Sequence, residues 1–452
     1  MQAKQVGIEQ YEIEINLYEF KAIVMLNKIK QIKNNTYIMQ IATLMSGTLI
    51  AQVVTLAFIP IITRLYTPAE FGLYSLFFSI VSILGLVSSL KYDQAIMLPK
   101  SDKDAQALVF LSILITFATV VLVILGLLIF QDFFVNYFSG ATHFVWMIPF
   151  GVLLLGLLQI FNAYSSRRQF YKKLATVKVA NSLTVASVQS SSKYFFALDG
   201  LVLGKLMADG LSLFLLLRFH VKKQTLQLSS LSKRRVKANV KRHDHFPKYQ
   251  SFTVFFNALS QNIPVLLFAS LYSAEVAGLY ALTVRVLQVP VGLIGASTKE
   301  VYYQRASKMY ANGEDIFNLY KKTTLALLKI FIIPFLTVLF FGEYLFGFVF
   351  GEQWTQSGEI AQLLIFWTFI GFINSPSVMS YSILNFQKIQ MRVEFLSVFL
   401  RFSAIYLGFY FYNSYMNSIL FFVLVSLVTN LFIILFIFVK LKKGVRNDSY
   451  SS

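Results

Sequence analysis

The sequence LYTPAEFGLY, at Leu65–Tyr74, is a short polar turn between two long apolar runs, and a similar sequence, LYSAEVAGLY, occurs at Leu271–Tyr280. Leu, Tyr, Gly, Leu and Tyr occupy the same positions in both copies. In the first copy, Thr67–Glu70 has the form of a helix capping box with proline at the first helical position. Ser273 with Glu275 is a looser version of that cap. Each copy is therefore predicted to begin a helix, and the pair indicates an internal repeat.

The composition is that of a membrane protein. Of the 452 residues, 56% are hydrophobic and only 13% are charged, and the mean hydropathy is +0.64. Apolar runs long enough to cross about 30 Å of hydrocarbon recur from end to end. Because the chain has no cysteine, disulfides, thiol catalysis and cysteine-ligated metals are excluded.

The apolar runs predict an all-α polytopic membrane protein with about twelve transmembrane helices. The two copies of the motif join spans 1 to 2 and spans 7 to 8, which are equivalent positions in two six-span halves. An even number of spans per half makes the halves a parallel repeat, related by a pseudo-two-fold axis along the membrane normal. The predicted spans fall near residues 38–63, 71–90, 105–130, 144–164, 176–198, 200–219, 249–271, 277–298, 323–347, 358–381, 393–411 and 415–439.

The polar segments divide the chain into two lobes and three connecting or terminal parts. The predicted parts are a cytoplasmic N-terminal segment (1–37), an N-terminal lobe (38–219), a basic cytoplasmic linker (220–248), a C-terminal lobe (249–440) and a cytoplasmic tail (441–452). We expect residues 1–24 to be dispensable, since they show no convincing periodicity. Span 5 holds Asn181 and several serines, so it must face protein or a water-filled space.

The net charge of +19 reports membrane orientation and not a nucleic-acid partner. All but six of the 40 Lys and Arg residues fall in connections that alternate along the chain, which the positive-inside rule assigns to the cytoplasm. Both termini are therefore predicted to be cytoplasmic, and the basic connections to contact anionic lipid. The six exceptions are Arg64, Lys193, Lys205, Arg285, Lys329 and Arg401.

Charged residues within the spans are the candidate binding residues, because burying a charge in hydrocarbon costs at least about 2.5 kcal/mol. Arg285 lies near the middle of span 8 with no acidic residue within a turn, and Arg401 is similarly deep in span 11. Lys91 and Asp93 close span 2 on the cytoplasmic side, and Arg64 follows span 1. These five residues are the predicted substrate site, a cationic cavity that suits an anionic group such as pyrophosphate, since arginine binds phosphate bidentately.

Structural explanations for such charges compete with binding. Lys205 and Asp209 are spaced i,i+4 and can pair with each other. Lys329 lies close enough to the end of span 9 to snorkel, and Glu394 precedes Arg401 on the same helix. Lys91 with Asp93 can equally anchor the helix at the interface.

The sequence offers no enzymatic or metal-binding motif. His243 and His245 lie two residues apart in a basic linker, without the helical spacing of metal ligands. Neither GxxxxGK[ST], GxSxG nor HExxH occurs. We therefore predict a protein that is not an enzyme and that needs no cofactor or metal.

The segment RLYTPAEFGLYSLFFSIVSILGLVSSLKYDQAIMLPKSDKDA, at Arg64–Ala105, resembles the N-terminal region of Wzx-like polysaccharide flippases. LYSAEVAGLYALTVRVLQVP, at Leu271–Pro290, is similar to the span 7–8 region of that family. The family belongs to the multidrug/oligosaccharidyl-lipid/polysaccharide exporter superfamily, which implies a MATE-like fold of two lobes. Arg64, Lys91, Asp93 and Arg285 fall within the matching segments, whereas Arg401 does not.

The resemblance implies a flippase of a bacterial inner membrane. Its expected substrate is an undecaprenyl-pyrophosphate-linked oligosaccharide of the O-antigen, lipopolysaccharide or capsule type, moved from the cytoplasmic to the periplasmic leaflet by alternating access. In such transporters basic side chains of the central cavity engage the pyrophosphate. Other membrane proteins of polysaccharide assembly are possible partners.

Three other classes of membrane protein compete with this interpretation. A cation-coupled multidrug exporter of the same fold remains open, although its cationic drugs favour an acidic cavity and the charges within these spans are mainly basic. A polysaccharide polymerase or ligase is disfavoured, because the chain has no large basic external loop. A channel is the weakest case, since no filter-like pattern repeats.

Overall fold

The computed structural model describes residues 36–138, 141–196, 199–225, 232–384 and 386–443, and within these ranges the secondary structure is helical. The twelve long helices are α1 (Thr36–Leu65), α2 (Pro68–Val87), α3 (Asp102–Ile129), α4 (Thr142–Arg167), α5 (Tyr171–Phe196), α6 (Gly200–Lys222), α7 (Ser251–Leu271), α8 (Ala274–Ala311), α9 (Phe317–Phe350), α10 (Thr355–Ile373), α11 (Gln387–Tyr412) and α12 (Tyr415–Lys442). The shorter helical segments are Tyr92–Ala95, Gln131–Tyr137, Lys233–Arg242, Phe246–Gln250, Glu352–Trp354 and Ser375–Ile383.

Each predicted span lies on one long helix, and span 10 continues from α10 into Ser375–Ile383. The largest difference is the length of α8, which has 38 residues and runs to Ala311. At about 1.5 Å per residue this helix is much longer than the roughly 30 Å of hydrocarbon. The predicted cytoplasmic segment after residue 298 is therefore helical over its first half.

Eleven helical stretches within the described residues are long and apolar enough to cross a membrane. Among the long helices, α5 is the exception, because its lysines, serines and Asn181 lower its hydropathy. It packs between α1 and α6, so its polar side chains have protein neighbours. This agrees with the prediction that span 5 avoids lipid.

Helix contacts repeat between the two halves of the chain. In the first half, α5 packs on α1 and α6, and α4 packs on α2, α3 and α6. In the second half, α11 packs on α7 and α12, and α10 packs on α8, α9 and α12, which are the equivalent pairs. The protein is thus built from two six-helix lobes related by a pseudo-two-fold axis, as the sequence predicts.

The two copies of the motif cap their helices as expected. In the first, the Thr67 amide donates to Glu70 Oε2 at 2.7 Å, and the Glu70 amide donates to Thr67 Oγ1 at 3.3 Å, which is a complete capping box. In the second, the Val276 amide donates to Ser273 Oγ at 3.2 Å. The looser cap lacks the reciprocal glutamate because Val276 stands at the third helical position.

The lobes meet where the two copies cross. α2 packs along α7 and α8, and the closest approach is between Gly72 and Gly278. A Cβ atom on Gly72 would lie 1.7 Å from the Ala274 carbonyl oxygen, and one on Gly278 would lie 1.9 Å from the Pro68 carbonyl oxygen. The backbones of α2 and α8 therefore touch at a point that only glycine permits, and we call this contact the inter-lobe seam.

A helix of the basic linker packs against the N-terminal lobe. The helix Lys233–Arg242 packs on α3, where Arg235 Nε and Asn239 Nδ2 each lie 3.4 Å from Asp104 Oδ1. The domain limits drawn from the sequence remain a prediction.

Candidate functional site

A central cavity of about 710 Å³ lies between the lobes, bounded by α1, α2 and α4 to α8. Its lining residues come from the middle of these helices. Arg285, for example, lies about 16 Å along α8 from the helix start, at about 1.5 Å per residue. The cavity is thus deep in the membrane-spanning region and below the inter-lobe seam.

Among the described residues, the charged side chains that line the cavity are three cations, Lys178, Lys205 and Arg285, and one carboxylate, Asp209. They come from α5, α6 and α8, so both lobes contribute. Since a low-dielectric wall strengthens the field of such groups, the net positive lining favours an anion.

Arg285 is the predicted site residue that lies in the cavity. Its side chain makes no hydrogen bond or ion pair with the residues that the structure describes. A guanidinium in the middle of the membrane is costly without a counter-charge or water. Arg285 therefore has no structural partner that would account for its charge among the described residues, and its role in substrate binding remains a prediction.

Lys205 and Asp209 form the i,i+4 pair that their spacing predicts. Lys205 Nζ lies 2.6 Å and 2.7 Å from the two carboxylate oxygens. Asn181 Nδ2 donates to Asp209 Oδ1 at 3.0 Å and approaches Ser212 Oγ at 3.0 Å, which ties α5 to α6. The pair largely neutralises itself, so the excess charge of the lining comes from Lys178 and Arg285.

Lys178 is a cavity residue that the sequence did not single out, since it lies two residues inside the cytoplasmic end of predicted span 5 and was counted with the adjoining connection. It lies within α5, is exposed, and donates to Thr48 Oγ1 of α1 at 3.1 Å. The polar character of span 5 was the available signal, but it identified the helix without singling out the lysine. Neutral polar side chains of the cavity were also missed, because polarity alone does not show which side of a helix faces a cavity. Those in the lining include Gln52, Gln159, Asn162, Gln261 and Asn262.

Lys91 and Asp93 form a buried ion pair beside the cavity. Lys91 Nζ lies 3.3 Å from Asp93 Oδ2 and also approaches Gln159 Oε1 at 3.3 Å, while Ser89 Oγ donates to Asp93 Oδ1 at 2.6 Å. Both side chains are less than a tenth exposed. The pair therefore fixes the end of α2 and reaches the lining through Gln159. A direct role in substrate binding remains a prediction.

Arg64 lies at the seam end of the molecule, outside the cavity lining. Its guanidinium donates to the Phe348 carbonyl of the opposite lobe at 3.0 Å. Next to it, Trp354 Nε1 and Gln353 Nε2 each donate to the Thr63 carbonyl at 2.7 Å. We call the contact of Gln353 and Trp354 with Thr63 the latch, because it joins the α9–α10 connection to the end of α1.

Arg401 lies within the C-terminal lobe, between α11 and α12. Its Nε donates to Ser426 Oγ at 3.1 Å, and its guanidinium carbon lies 5.9 Å from the Phe422 ring centroid. It does not line the central cavity. Arg401 thus has protein partners, whereas Arg285 has none among the described residues; a role of Arg401 in substrate binding stays a prediction.

The histidines of the linker do not form a metal-like cluster. The ring centroids of His243 and His245 lie 6.3 Å apart, and Asp244 pairs with Lys248 at 2.5 Å. Burial, together with the nearby His245 and Arg242, lowers the pKa of His243. Among the described residues, no three His, Asp or Glu side chains come together as a metal site would require.

The sequence profile of a family described as "Polysaccharide biosynthesis protein" matches residues 61–359, about two thirds of the chain. The chain belongs to this family. The match includes both copies of the motif and every charged residue of the cavity, whereas Arg401 lies beyond it. No curated protein sequence matches the chain.

Solved structures of membrane transporters share the fold of this member of the polysaccharide biosynthesis protein family. An inward-facing multidrug resistance MATE family transporter of the MOP superfamily aligns with a TM-score of 0.71 at 11% identity, over 87% of this chain and 96% of that one. The lipid II flippase MurJ, in an inward closed conformation, aligns at 0.66 and 13%, over 88% and 90%. The Vibrio cholerae MATE transporter VcmN in the bent form aligns at 0.54 and 16%, over 90% and 97%. The MATE-like fold is therefore confirmed.

Proposed function

We propose that this protein is a flippase that moves an undecaprenyl-pyrophosphate-linked oligosaccharide, of the O-antigen or capsule type, between the two leaflets of a bacterial inner membrane. The observation that carries the proposal is the charge of the cavity lining. Arg285, which has no partner among the described residues, and Lys178, which is bonded only to the Thr48 hydroxyl, add two positive charges to the neutral Lys205–Asp209 pair. A pyrophosphate supplies the compensating charge and accepts several hydrogen bonds at once.

The closure of one end of the molecule supports transport by alternating access. At the seam end, Gly72 against Gly278 and the latch on Thr63 join the two lobes. Deeper in the membrane, the lobes separate around the cavity. Exchange between this arrangement and one open at the seam end would expose the same cavity to both sides in turn.

The orientation rests on the distribution of charge. The basic connections and the helix Lys233–Arg242 lie away from the seam end, and the positive-inside rule assigns them to the cytoplasm. In this orientation the seam faces the periplasm, and transport runs from the cytoplasmic to the periplasmic leaflet. Proteins that build or polymerise the saccharide are the expected partners.

A multidrug exporter is the second candidate, and the similarity in fold to a MATE family transporter favours it. Cationic drugs favour a binding cavity that contains carboxylates. Asp209 is the carboxylate among the described lining residues, and Lys205 already occupies both of its oxygens. The charge of the cavity therefore favours an anionic substrate over a cationic drug.

Deletion of the gene and complementation test the proposal. We expect the deletion strain to lose surface polysaccharide and to accumulate lipid-linked saccharide in the cytoplasmic leaflet. The intact gene should restore the surface polysaccharide and remove the accumulated saccharide. The Arg285→Ala variant should reach the normal amount of protein in the membrane and still fail to restore surface polysaccharide. Lys329→Ala, which removes an exposed lysine of α9 outside the cavity, should restore it. Unchanged polysaccharide with increased drug sensitivity would support the exporter instead.

A further inference from the structure

Several neutral polar side chains of the central cavity have no hydrogen-bond partner among the described residues. They are Gln52 of α1, Tyr74 and Ser79 of α2, Asn162 of α4 and Tyr280 of α8. Tyr74, Ser79 and Tyr280 are at least nine-tenths buried. Polar groups left without partners in a membrane interior cost free energy until water or a ligand satisfies them.

The other polar residues of the lining serve as an internal contrast, because they are already occupied. Gln159 Nε2 donates to the Gly85 carbonyl at 2.8 Å, and Asn262 Nδ2 donates to the Ala258 carbonyl at 2.8 Å. Asn181 is held by Asp209. The unpartnered groups are therefore a distinct subset, and not a general property of polar side chains in this cavity.

In each copy of the motif, one tyrosine is hydrogen-bonded to protein and the other lines the cavity without such a bond among the described residues. Tyr66 donates to the Gln189 carbonyl at 2.9 Å, and Tyr272 lies 2.8 Å from Ser418 Oγ, so the first tyrosine of each copy is bonded within its own lobe. Tyr74 and Tyr280, the last tyrosines, line the cavity without such bonds. Each stands two residues beyond the seam glycine, at the end of the cavity nearest the seam.

We propose that Tyr74, Tyr280, Gln52 and Asn162 form a carbohydrate subsite, which binds the sugar attached to a pyrophosphate held by Arg285. This inference rests on the proposed function and adds the residues that recognise the uncharged part of the substrate. Sugars present hydroxyl groups and apolar ring faces, which amides and phenol rings match. Arg285 and Tyr280 both line the cavity and lie about 7.5 Å apart along α8, at about 1.5 Å per residue, so adjoining parts of one ligand can reach both.

The test compares two probes on protein in lipid nanodiscs, a short-chain prenyl pyrophosphate and the same compound carrying one hexose. The wild-type protein should bind the hexose compound more tightly. Tyr74→Phe and Asn162→Ala should each weaken its binding by about three- to tenfold, the effect of one lost hydrogen bond, and should leave the sugar-free probe unaffected. Arg285→Gln should weaken both probes alike.

The ratio of the two affinities is independent of how much of a variant is folded. Tyr344→Phe and Asn318→Ala, at exposed positions outside the cavity, are the matched controls and should keep the wild-type ratio. A Tyr74→Phe/Asn162→Ala double variant with the wild-type ratio would overturn the carbohydrate subsite alone. Failure of the wild-type protein to bind either probe would instead contradict the proposed function.

Discussion

The two lobes share their helix packing and differ in their interiors. α5 and its equivalent α11 each carry a basic residue among the packed helices of their lobe. Lys178 of α5 faces the cavity and has a single hydroxyl partner in Thr48. Arg401 of α11 is bonded to Ser426 and lies against Phe422. The repeat therefore reproduces backbone architecture, while binding chemistry depends on what surrounds each charge.

The neighbouring helices reinforce this difference. In the N-terminal lobe, Lys205 and Asp209 of α6 lie on the cavity wall. In the C-terminal lobe, Asn374 Nδ2 donates to Asn430 Oδ1 of α12 at 2.8 Å, and both side chains are buried. The buried asparagines of the C-terminal lobe thus hold its helices together, whereas that lobe contributes to the cavity through α7 and α8.

Both lobes meet at the inter-lobe seam, so disruption of the seam should have the largest effect on the free energy of unfolding. Gly72→Leu introduces a Cβ atom that would lie 1.7 Å from the Ala274 carbonyl oxygen. We expect the lobes to separate and the free energy of unfolding to fall by at least about 3 kcal/mol. Thermal unfolding in detergent measures this. Gly126→Ala is the matched control, since nothing lies within 4 Å of its Cβ position; equal loss in both variants would remove the special role of the seam.

Two arginines of the C-terminal lobe test whether the surroundings of a charge decide its role, since Arg285 lines the cavity and Arg401 is bonded to Ser426. Arg285→Gln should reduce transport or pyrophosphate binding by about ten- to a hundredfold and leave stability nearly unchanged, because the lost bonds are made only to the ligand. Arg401→Gln should do the reverse, lowering the free energy of unfolding by about 1–3 kcal/mol through Ser426 and Phe422. Binding assays and thermal unfolding of both variants measure the split. Similar profiles for the two variants would contradict the distinction between a charge that lines the cavity and a charge packed inside a lobe.

The fold could be predicted from sequence because its signals are local or repeated. Twelve apolar runs located the helices, Thr67 with Glu70 marked a helix start, and the second copy of LYTPAEFGLY showed the repeat. That the two copies touch was not predictable, since contact across 200 residues depends on the packing of whole lobes. Gly72 and Gly278 were visible only as identical positions in an alignment of the copies.

The site was less predictable, because exposure to a cavity is a tertiary property. Arg285 was found by its isolation from acidic residues, and the i,i+4 pairing of Lys205 with Asp209 was found by spacing. Lys178 was missed because a lysine near a helix end resembles any other cytoplasmic lysine. Sequence could not separate Arg401 from Arg285, since their difference lies in Ser426 and Phe422 of another helix.

The Lys205–Asp209 pair tests whether the polar wall of the N-terminal lobe has a structural role as well. Lys205→Gln leaves the carboxylate with Asn181 as a neutral partner and should lower the free energy of unfolding by about 1–3 kcal/mol. Asp209→Asn should do similarly. The double variant should recover most of this loss, because it leaves no unpaired charge. Additive losses in a double-mutant cycle would show that the two side chains act independently.

The latch should give the smallest effect, because it adds single hydrogen bonds to a seam already held by backbone contact. Trp354→Phe keeps the ring that packs edge-on against Phe71, with centroids 5.6 Å apart, and removes only the bond from Nε1 to the Thr63 carbonyl. Losing one hydrogen bond should shift the population open at the seam end by about three- to tenfold. Since the chain has no cysteine, Asn262→Cys provides a single cavity reporter for an impermeant maleimide applied from the seam side. Faster labelling in the Trp354→Phe background, with unchanged thermal stability, would show that the latch controls opening at the seam end. Equal labelling rates would show that the bond from Trp354 to Thr63 makes no contribution to closure.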